Sequence, residues 1–553
     1  MTEAKLCLAF AQLNPTVGDL SGNLSALRRV REQTPEADLI VTPEMYLSAY
    51  PPEDLVLKPS FQDSTRHAVE RLAQETADGG PALLIGVPWR EKDKLYNAML
   101  LLEKGHIIAH CFKYDLPNYG PFDEKRVFTA GPLPEPLLFR GMRLGVMICE
   151  DMWTSACAAH LKEKGAEILI VPNGSPYEVG KTIIRAQLAE ARVAETGLPL
   201  VYLNQIGGQD ELVFDGASFA LNAKGETVFA LPSWQEKTAL VSFAKGSLVG
   251  KKNGIIAPMD PEAEIYTALM VGLRDYVNKN GFPGVVLGLS GGIDSALAVA
   301  LAVDALGAER VRGVRLPSPY TSSESMEDAA LSARLLGCPL ETIPISEAMR
   351  VFDTALTPVV GERLRGIPQE NIQSRCRGLI LMALSNATGA MVLATGNKSE
   401  MSVGYATLYG DMCGGFAVLK DVYKTEIYRL ARWRNGAKPL GSLGPLGPVM
   451  PERVLTKAPT AELRPNQTDQ DSLPPYAILD GILESLIEAD LGLQAIMAKG
   501  FDPATVAKVW GLLDGAEYKR RQAPPGVKIT RRALGRDRRY PMTNKYRERS
   551  SRR

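Results

Sequence analysis

The sequence predicts an α/β protein that contains more than one domain. Its 553 residues exceed a single ordinary core, because domains average about 150 residues. Short β-branched runs alternate with amphipathic stretches in the first half, and the alternation resumes after a segment rich in Gly and Pro. We therefore predict domains at 1–245 and 263–553, joined by a linker at 246–262.

The composition is that of a folded protein and points to no charged partner. Hydrophobic residues make up 45% and charged residues 23%, and Lys+Arg and Asp+Glu are equal at 63 each. This balance predicts neither a nucleic-acid nor a membrane partner. The N-terminus lacks a signal-peptide pattern, and the most apolar stretch, Ala296–Leu306, is too short for a membrane span. Seven cysteines without a CxxC pair argue against disulfides or a zinc site and predict a cytoplasmic location.

Strand and helix patterns alternate along the first half. The predicted strands include Leu39–Thr42, Ala82–Val87, Leu144–Cys149, Ile168–Val171 and Leu200–Asn204. The predicted helices are Gln62–Thr76 and Thr182–Thr196, the second of which ends at Gly197. This order indicates an α/β layered domain.

The second half repeats strand–helix units in the rhythm of a doubly wound α/β domain. A helix is predicted from Pro261 to Asn280, then the strand Val285–Leu289 and the helix Ser295–Leu306. Further strands are predicted at Val311–Arg315, Leu340–Ile343 and Ala390–Ala394. The segment 436–475 is rich in Pro and Gly and is predicted to form a long covering loop.

The strongest single motif is GLSGGIDSA at 288–296. An apolar strand leads into glycines, and a helix begins directly afterwards, an arrangement that suits a phosphate. No Gly-Lys-Ser/Thr follows, so it is not a Walker loop. It resembles the SGGxDS loop of pyrophosphatase-type ATP enzymes (adenine nucleotide alpha hydrolase-like). The resemblance implies ATP binding by Gly288, Leu289, Ser290, Gly291, Gly292, Ile293, Asp294 and Ser295, with Mg²⁺ held at Asp294.

Three stretches of the first half carry a second chemistry. PEMYLSAYPPEDL, KYDLPNYGPFDEKRVF and MICEDMW resemble the signatures of the nitrilase superfamily, with Glu44, Lys113 and Cys149 in the matching places. A thiolate attacks an amide carbon, a carboxylate moves the proton and an ammonium stabilises the oxyanion. The resemblance implies an αββα sandwich. Glu124 either holds Lys113 and Cys149 in register or is a surface residue.

Other glutaminase designs do not fit this chain. A Cys-His-Glu triad needs a histidine well beyond the cysteine, and an N-terminal nucleophile needs Cys where this chain has Thr2. The histidines are His67, His106, His110 and His160. They form no HExxH-like pair and are not predicted to bind a metal.

Fusion of an amide hydrolase to an adenylating domain indicates an ammonia-transfer amidotransferase, because enclosed ammonia escapes protonation and the activated acid escapes water. This pairing resembles the glutamine-dependent NAD synthetase family. Further matching runs are LPNYGPFDEKR, ENIQSRCRG, TGNKSEMSVGYATLYGD, ELRPNQTDQDSLPPY and PPGVKITRRALGRDRRYP. The resemblance implies ATP-dependent amidation of deamido-NAD through an acyl-adenylate, with release of AMP and pyrophosphate. It also implies a homo-oligomer with an internal ammonia passage.

The same resemblance assigns further residues by position. It implies glutamine binding by Tyr119, Ser175 and Lys181, and further ATP binding by Thr395 and Lys424. It implies deamido-NAD binding by Asn371, Arg375, Glu400 and Lys519, and a second magnesium ligand at Glu400. Tyr518 stands where ammonia-only members have His and is assigned no role. The matching run suggests structural docking of the Arg-rich tail from Arg531, and a solvated or subunit-contact role is predicted for it rather than nucleic-acid binding.

Two alternatives stay open at this point. The first is an amidotransferase for another acceptor, which a substrate screen that follows pyrophosphate release would distinguish. The second is a nucleotide sensor with an inactive hydrolase domain, which glutamate release from glutamine would distinguish.

Overall fold

The computed structural model describes residues 5–244, 246–250, 259–465 and 467–546. The chain divides into two compact units, Met1–Pro258 and Met259–Arg553. Each unit contains parallel strands connected through helices, which confirms the predicted α/β class.

The segment predicted as the linker, 246–262, contains regular structure at both ends. Ser247–Gly250 is a strand that pairs with the strand before it, and a helix begins at Pro261. Gly246 and Gly250 suggested that regular secondary structure is interrupted here. In the structure, hydrogen bonding to the preceding strand instead holds Ser247–Gly250 in an extended conformation. Residues 251–258 lie outside the described residues.

The first unit contains fifteen described strands and five described helices. The strands are β1 (Lys5–Gln12), β2 (Leu39–Val41), β3 (Ala82–Glu91), β4 (Lys94–Glu103), β5 (His106–Phe112), β6 (Leu137–Phe139), β7 (Met142–Val146), β8 (Ile168–Asn173), β9 (Leu200–Asn204), β10 (Ile206–Gln209), β11 (Leu212–Asp215), β12 (Phe219–Leu221), β13 (Thr227–Ala230), β14 (Lys237–Ala244) and β15 (Ser247–Gly250). The helices are α1 (Leu20–Gln33), α2 (Pro59–Glu75), α3 (Glu124–Val127), α4 (Ala156–Glu163) and α5 (Lys181–Thr196).

These elements form the predicted αββα sandwich. One sheet has the order β15-β14-β1-β2-β3-β4-β5, and the other has the order β13-β12-β9-β8-β7-β6. Apolar side chains such as Leu84 and Ile170 fill the space between the sheets. Helices α1 and α2 cover the outer face of the first sheet, and α4 and α5 cover that of the second. Because β8 is buried along its whole length, its sequence is an almost continuous apolar run.

The second unit contains five described strands and twelve described helices. The strands are β16 (Val285–Gly288), β17 (Val311–Arg315), β18 (Leu340–Thr342), β19 (Met391–Ala394) and β20 (Phe416–Ala417). The helices are α6 (Pro261–Lys279), α7 (Ile293–Leu306), α8 (Ser323–Leu336), α9 (Ser346–Val360), α10 (Ile367–Thr388), α11 (Lys398–Val403), α12 (Lys424–Gly436), α13 (Glu452–Thr456), α14 (Tyr476–Ile487), α15 (Leu493–Met497), α16 (Pro503–Gly515) and α17 (Glu517–Arg520).

The sheet of the second unit is parallel and doubly wound. Its order is β18-β17-β16-β19-β20, so the chain order reverses between β16 and β19. Helices α7 and α10 both pack on β16. In such sheets ligands bind beyond the carboxyl ends of the strands where the order reverses. The GLSGGIDSA motif follows β16 at that position.

The segment 436–475 is less irregular than predicted, because α13 interrupts it. Its first part is fixed by Asp304, a buried residue of α7. The Asp304 carboxylate accepts hydrogen bonds from Arg434 Nε at 2.6 Å and from Ser442 Oγ at 2.6 Å. Three carbonyl groups of the segment accept further hydrogen bonds from the Arg434 guanidinium. This loop is therefore anchored to the core of the unit.

The Arg-rich tail makes contacts within the second unit over the part that the structure describes, which ends at residue 546. The backbone N–H groups of Ile529 and Thr530 donate to the buried Asp421 carboxylate at 2.8 and 2.7 Å. Farther on, Arg538 pairs with Glu517 at 3.2 Å. The first two contacts hold the segment just before the tail, and the third holds Arg538 of the tail in an intramolecular ion pair.

Among the described residues, no helix combines the length and the apolar character that a membrane span requires. All seven cysteines lie within those residues, and each is a free thiol.

Candidate active sites

Three residues of the first unit converge at the ends of strands. Glu44 lies shortly after β2, Lys113 directly follows β5, and Cys149 lies three residues beyond β7. All three are buried, with 0%, 1% and 8% of their surface exposed. Since β7 belongs to one sheet and β2 and β5 to the other, the cluster lies where both sheets end.

Lys113 lies between two carboxylates. Its Nζ donates to Glu44 Oε1 at 2.7 Å and to Glu124 Oε1 at 2.8 Å. Glu44 also accepts from Asn97 Nδ2 at 2.7 Å and from the Gly174 backbone N–H at 2.7 Å. A buried ion pair needs such additional hydrogen bonds to offset desolvation. The ammonium and the Glu44 carboxylate are thus fixed before any substrate binds.

Glu124 is part of the buried cluster and not a surface residue. It is 4% exposed, and its Oε1 accepts from the Tyr50 hydroxyl at 2.9 Å as well as from Lys113. Burial raises the pKa of Glu124, and the charge of Lys113 opposes that rise. Of the two interpretations of Glu124, the geometry favours the one in which it holds Lys113.

Cys149 begins a short 3-10 turn in a strained conformation. Its φ of +50° lies in the left-handed region, which costs a non-glycine residue about 1–3 kcal/mol. Burial raises the pKa of the thiol well above its ordinary 9.0, the charge of Glu44 raises it further, and Lys113 lowers it. Together these influences favour a protonated resting thiol.

The residues predicted to bind glutamine lie near this cluster. The Tyr119 hydroxyl donates to the carboxylate of Glu150, the neighbour of Cys149, at 3.0 Å. Lys181 Nζ lies 5.8 Å from the centre of the Phe122 ring, which also packs edge-on against Tyr119. Half of Tyr119 is exposed, which suits a residue at the mouth of a site.

Ser175, the third predicted glutamine ligand, is buried and held by side chains that the sequence did not single out. Its backbone N–H donates to Asn204 Oδ1 at 3.0 Å, and its Oγ accepts from Arg185 Nε at 3.2 Å. Arg185 pairs in turn with the buried Asp215 at 2.7 Å. Asn204 ends a predicted strand, but Arg185 carries no sequence signal, because its position on α5 becomes meaningful only in the fold.

The GLSGGIDSA loop of the second unit connects β16 to α7. Ser290 Oγ lies 3.1 Å from Ser295 Oγ and accepts from the Gly292 N–H at 3.2 Å. Gly291 has a φ of +85°, and a Cβ there would lie 2.2 Å from the Ser325 carbonyl oxygen. The loop thus requires glycine at Gly291 and leads directly into a helix N-terminus, where anions are stabilised.

Asp294 and Glu400, the predicted magnesium ligands, face one ammonium group. Lys424 Nζ lies 2.5 Å from Asp294 Oδ2 and 3.1 Å from Glu400 Oε1. Asn397 donates to Asp294 Oδ1 at 2.8 Å, and Thr395 directly follows the adjacent strand β19. Burial raises the pKa of Glu400 to about 7, although Lys424 opposes that rise.

The remaining predicted residues meet around the loop that follows α11. Asn371 Oδ1 accepts from Thr407 Oγ1 at 2.9 Å, and Arg375 Nε donates to the Leu408 carbonyl at 3.2 Å. Lys519 Nζ donates to the carbonyl of Ala406 at 2.7 Å. Burial lowers the pKa of Lys519, and Asp411 opposes that effect. The structure therefore brings Asn371, Arg375 and Lys519 together, close in sequence to Glu400 of α11.

The chain is similar to known proteins along almost its whole length. Residues 7–248 match the family described as carbon-nitrogen hydrolase, and residues 265–523 match NAD synthase. The glutamine-dependent NAD(+) synthetase of Rhodobacter capsulatus is 48% identical over 98% of this chain and 99% of its own. That of Acinetobacter baylyi is 44% identical over 98% of each chain.

Two solved structures share this architecture. The glutamine-dependent NAD+ synthetase from Acinetobacter baumannii, in complex with ADP, has a TM-score of 0.78 at 42% identity and covers 98% of this chain and 99% of its own. That from Cytophaga hutchinsonii has a TM-score of 0.81 at 22% identity, over 98% of each chain, and therefore shares the fold.

The steric demand at Gly291 gives a prediction about folding. Gly291→Ala is expected to destabilise the second unit. The left-handed conformation of an alanine costs about 1–3 kcal/mol, and the clash of its Cβ with Ser325 adds to that cost. Gly292→Ala is the matched control, because its φ is −88° and its new Cβ would meet only Ser290 Oγ, at 3.4 Å. Calorimetry of the full chain measures both. Equal unfolding temperatures for the two variants would contradict the prediction.

Proposed function

The chain belongs to the glutamine-dependent NAD(+) synthetases, and we propose how its two units divide that reaction. The first unit hydrolyses glutamine, and the second uses the ammonia and ATP to convert deamido-NAD to NAD. The observation that carries the proposal is that one chain, matched over 98% of its length, contains both the buried Glu44–Lys113–Cys149 cluster and the GLSGGIDSA loop. Neither alternative, another acceptor or an inactive sensor, accounts for that match.

Glutamine hydrolysis follows from the charges around Cys149. Glu44 takes the thiol proton as sulfur attacks the side-chain amide carbon, and Lys113 stabilises the oxyanion. Glu44 then returns the proton to the departing nitrogen, so ammonia leaves and a thioester remains. Water activated by Glu44 hydrolyses the thioester to glutamate and restores the thiol. Tyr119, Ser175 and Lys181 bind the rest of the glutamine molecule.

The second unit activates the acid. The loop 288–295 holds the ATP phosphates that leave as pyrophosphate, Thr395 and Lys424 bind the same nucleotide, and the nicotinate carboxylate attacks the α-phosphorus. Ammonia then attacks the acyl-adenylate, with NAD and AMP as products. The position of the loop at the reversal of strand order supports this assignment.

Asp294 and Glu400 are the residues that would hold magnesium. The ammonium of Lys424 already lies between their carboxylates, which supports a place for positive charge there. Carboxylate oxygens suit this hard cation, which neutralises phosphate charge when bound. Lys424 is then free to contact phosphate oxygens.

Asn371, Arg375, Glu400 and Lys519 bind deamido-NAD in this proposal. Their support is spatial, because three of them contact the loop at 404–408 and the fourth lies on the helix just before it. An amide, a guanidinium and an ammonium together provide donors for the phosphate and hydroxyl groups of a dinucleotide.

A homo-oligomer is supported by an apolar surface on α9 and α10. No residue of α9 is buried, and Phe352, Val359, Ile367 and Leu379 are exposed along the two helices. Several large apolar side chains exposed on two packed helices are a feature that favours an association site. Leu379→Glu is expected to weaken assembly in sedimentation velocity. Leu138→Glu, at a leucine of the first unit that is equally exposed at 65%, is the matched control. A monomeric unmodified chain at micromolar concentration would contradict the proposal.

Separate active sites predict separable losses of activity. Cys149→Ala is expected to reduce glutamine-supported NAD formation at least about 10³-fold, because no other group replaces the nucleophile. Synthesis from added ammonium should remain near normal. Asp294→Asn is the reciprocal control and should reduce synthesis from both donors. NAD formation is measured for both variants with glutamine and with ammonium as the nitrogen donor. Loss of ammonium-supported synthesis in Cys149→Ala would contradict the proposal.

A further inference from the structure

Two residues beyond Cys149 lies a carboxylate that takes no part in the chemistry above. Asp151 is completely buried. Its Oδ2 accepts from the backbone N–H of Ile148 at 2.9 Å. Its Oδ1 accepts from the backbone N–H groups of Tyr114 at 3.0 Å and Asp115 at 2.8 Å.

These three N–H groups belong to the two segments that carry the nucleophile and the ammonium. Ile148 directly precedes Cys149, and Tyr114 directly follows Lys113. The first segment continues from β7 and the second from β5, which lie in different sheets. One side chain therefore connects the two sheets at the site where Cys149 and Lys113 must act together.

The same carboxylate closes the strained turn at Cys149. The Asp151 N–H donates to the Ile148 carbonyl at 3.1 Å, while its side chain accepts from the Ile148 N–H. This reciprocal pair encloses Cys149, whose φ of +50° persists only if its surroundings impose it. Hydrogen bonds from N–H groups to a buried carboxylate are strong and strict in geometry.

A buried carboxylate is costly, and here the compensation comes from backbone groups. Burial raises the pKa of Asp151 to about 7, although the N–H groups of Asp115 and Ile148 oppose that rise. A neutral or apolar residue would avoid this cost. The carboxylate instead supplies two acceptor oxygens that reach both catalytic segments.

We propose that Asp151 is a positioning residue of the glutaminase site, which fixes Cys149 relative to Lys113 without contacting glutamine. The inference rests on the proposed role of Cys149. If Cys149→Ala retained glutamine-supported synthesis, that role would fail whatever the result at Asp151. The two failures are therefore distinguishable.

The test is Asp151→Asn in the full chain. Asparagine keeps one acceptor oxygen but turns an NH₂ group toward a backbone N–H, so it cannot accept all three bonds. Small displacements of reacting groups cost about 10²-fold in rate, and we expect kcat for glutamine hydrolysis to fall about 10- to 100-fold. KM for glutamine should stay near normal, because the substrate-binding residues are untouched. Ammonium-supported NAD formation should be unchanged.

Asp115→Asn is the matched control. A carboxylate oxygen of Asp115 lies within 4.8 Å of a carboxylate oxygen of Asp151. The Asp115 carboxylate, however, accepts a hydrogen bond from Thr154 Oγ1 and none from the turn at Cys149. Its kcat for glutamine should be normal. Three results would overturn the proposal. They are an equal fall of kcat in Asp115→Asn and Asp151→Asn, a normal kcat in Asp151→Asn, and a rise of KM without a fall of kcat in Asp151→Asn.

Asp151→Glu keeps the result decisive if Asp151→Asn also loses ammonium-supported synthesis through misfolding. Glutamate retains the charge but moves its oxygens by one methylene. The proposal expects ammonium-supported synthesis with a reduced kcat for glutamine. A normal kcat in Asp151→Glu would overturn the proposal, and so would the loss of both activities.

Discussion

One buried ammonium group, Lys113 Nζ, determines how the first unit can work. It lies between the Glu44 and Glu124 carboxylates at 2.7 and 2.8 Å, with almost no exposure to solvent. Removing one partner of such a pair costs about 3–5 kcal/mol, so the group is held firmly. The two carboxylates balance the charge of the one ammonium group, so no net positive charge is left to stabilise a thiolate at Cys149 in the resting site. The proposed glutaminase reaction therefore starts from a neutral Cys149 thiol, with Glu44 as its base.

Both units place their chemistry at the ends of strands, for the same geometric reason. Parallel strands have their carboxyl ends at one edge, where the chain leaves the sheet and its side chains and N–H groups become available to a ligand. In the first unit Glu44 and Cys149, the proposed base and nucleophile, follow the ends of β2 and β7 in the two sheets. In the second unit the GLSGGIDSA loop and Thr395, both proposed to bind ATP, lie at the ends of β16 and β19.

The sequence located several of the strands and helices, although the strand predicted at Leu144–Cys149 ends earlier, at Val146. The strands Leu200–Asn204 and Val311–Arg315 match the prediction to the residue, and the first of them is an almost continuous apolar run that is buried along its whole length. The strand Ser247–Gly250 was missed, since its pairing with β14 outweighs its flanking glycines. Asn97 was also missed, because it lies 53 residues from its partner Glu44 and belongs to no local motif. Long-range hydrogen bonds of this kind are visible only in the fold.

The roles of individual residues stay predictions, and the neutral resting thiol is the claim on which the glutaminase account depends. Its direct test is the rate of alkylation by iodoacetamide as a function of pH, taken as the difference between the full chain and Cys149→Ala. We expect the midpoint of the Cys149 reaction to lie above the ordinary thiol pKa of 9.0, because burial and Glu44 disfavour the thiolate. A midpoint at or below about 7, the range of activated thiolates, would contradict the account.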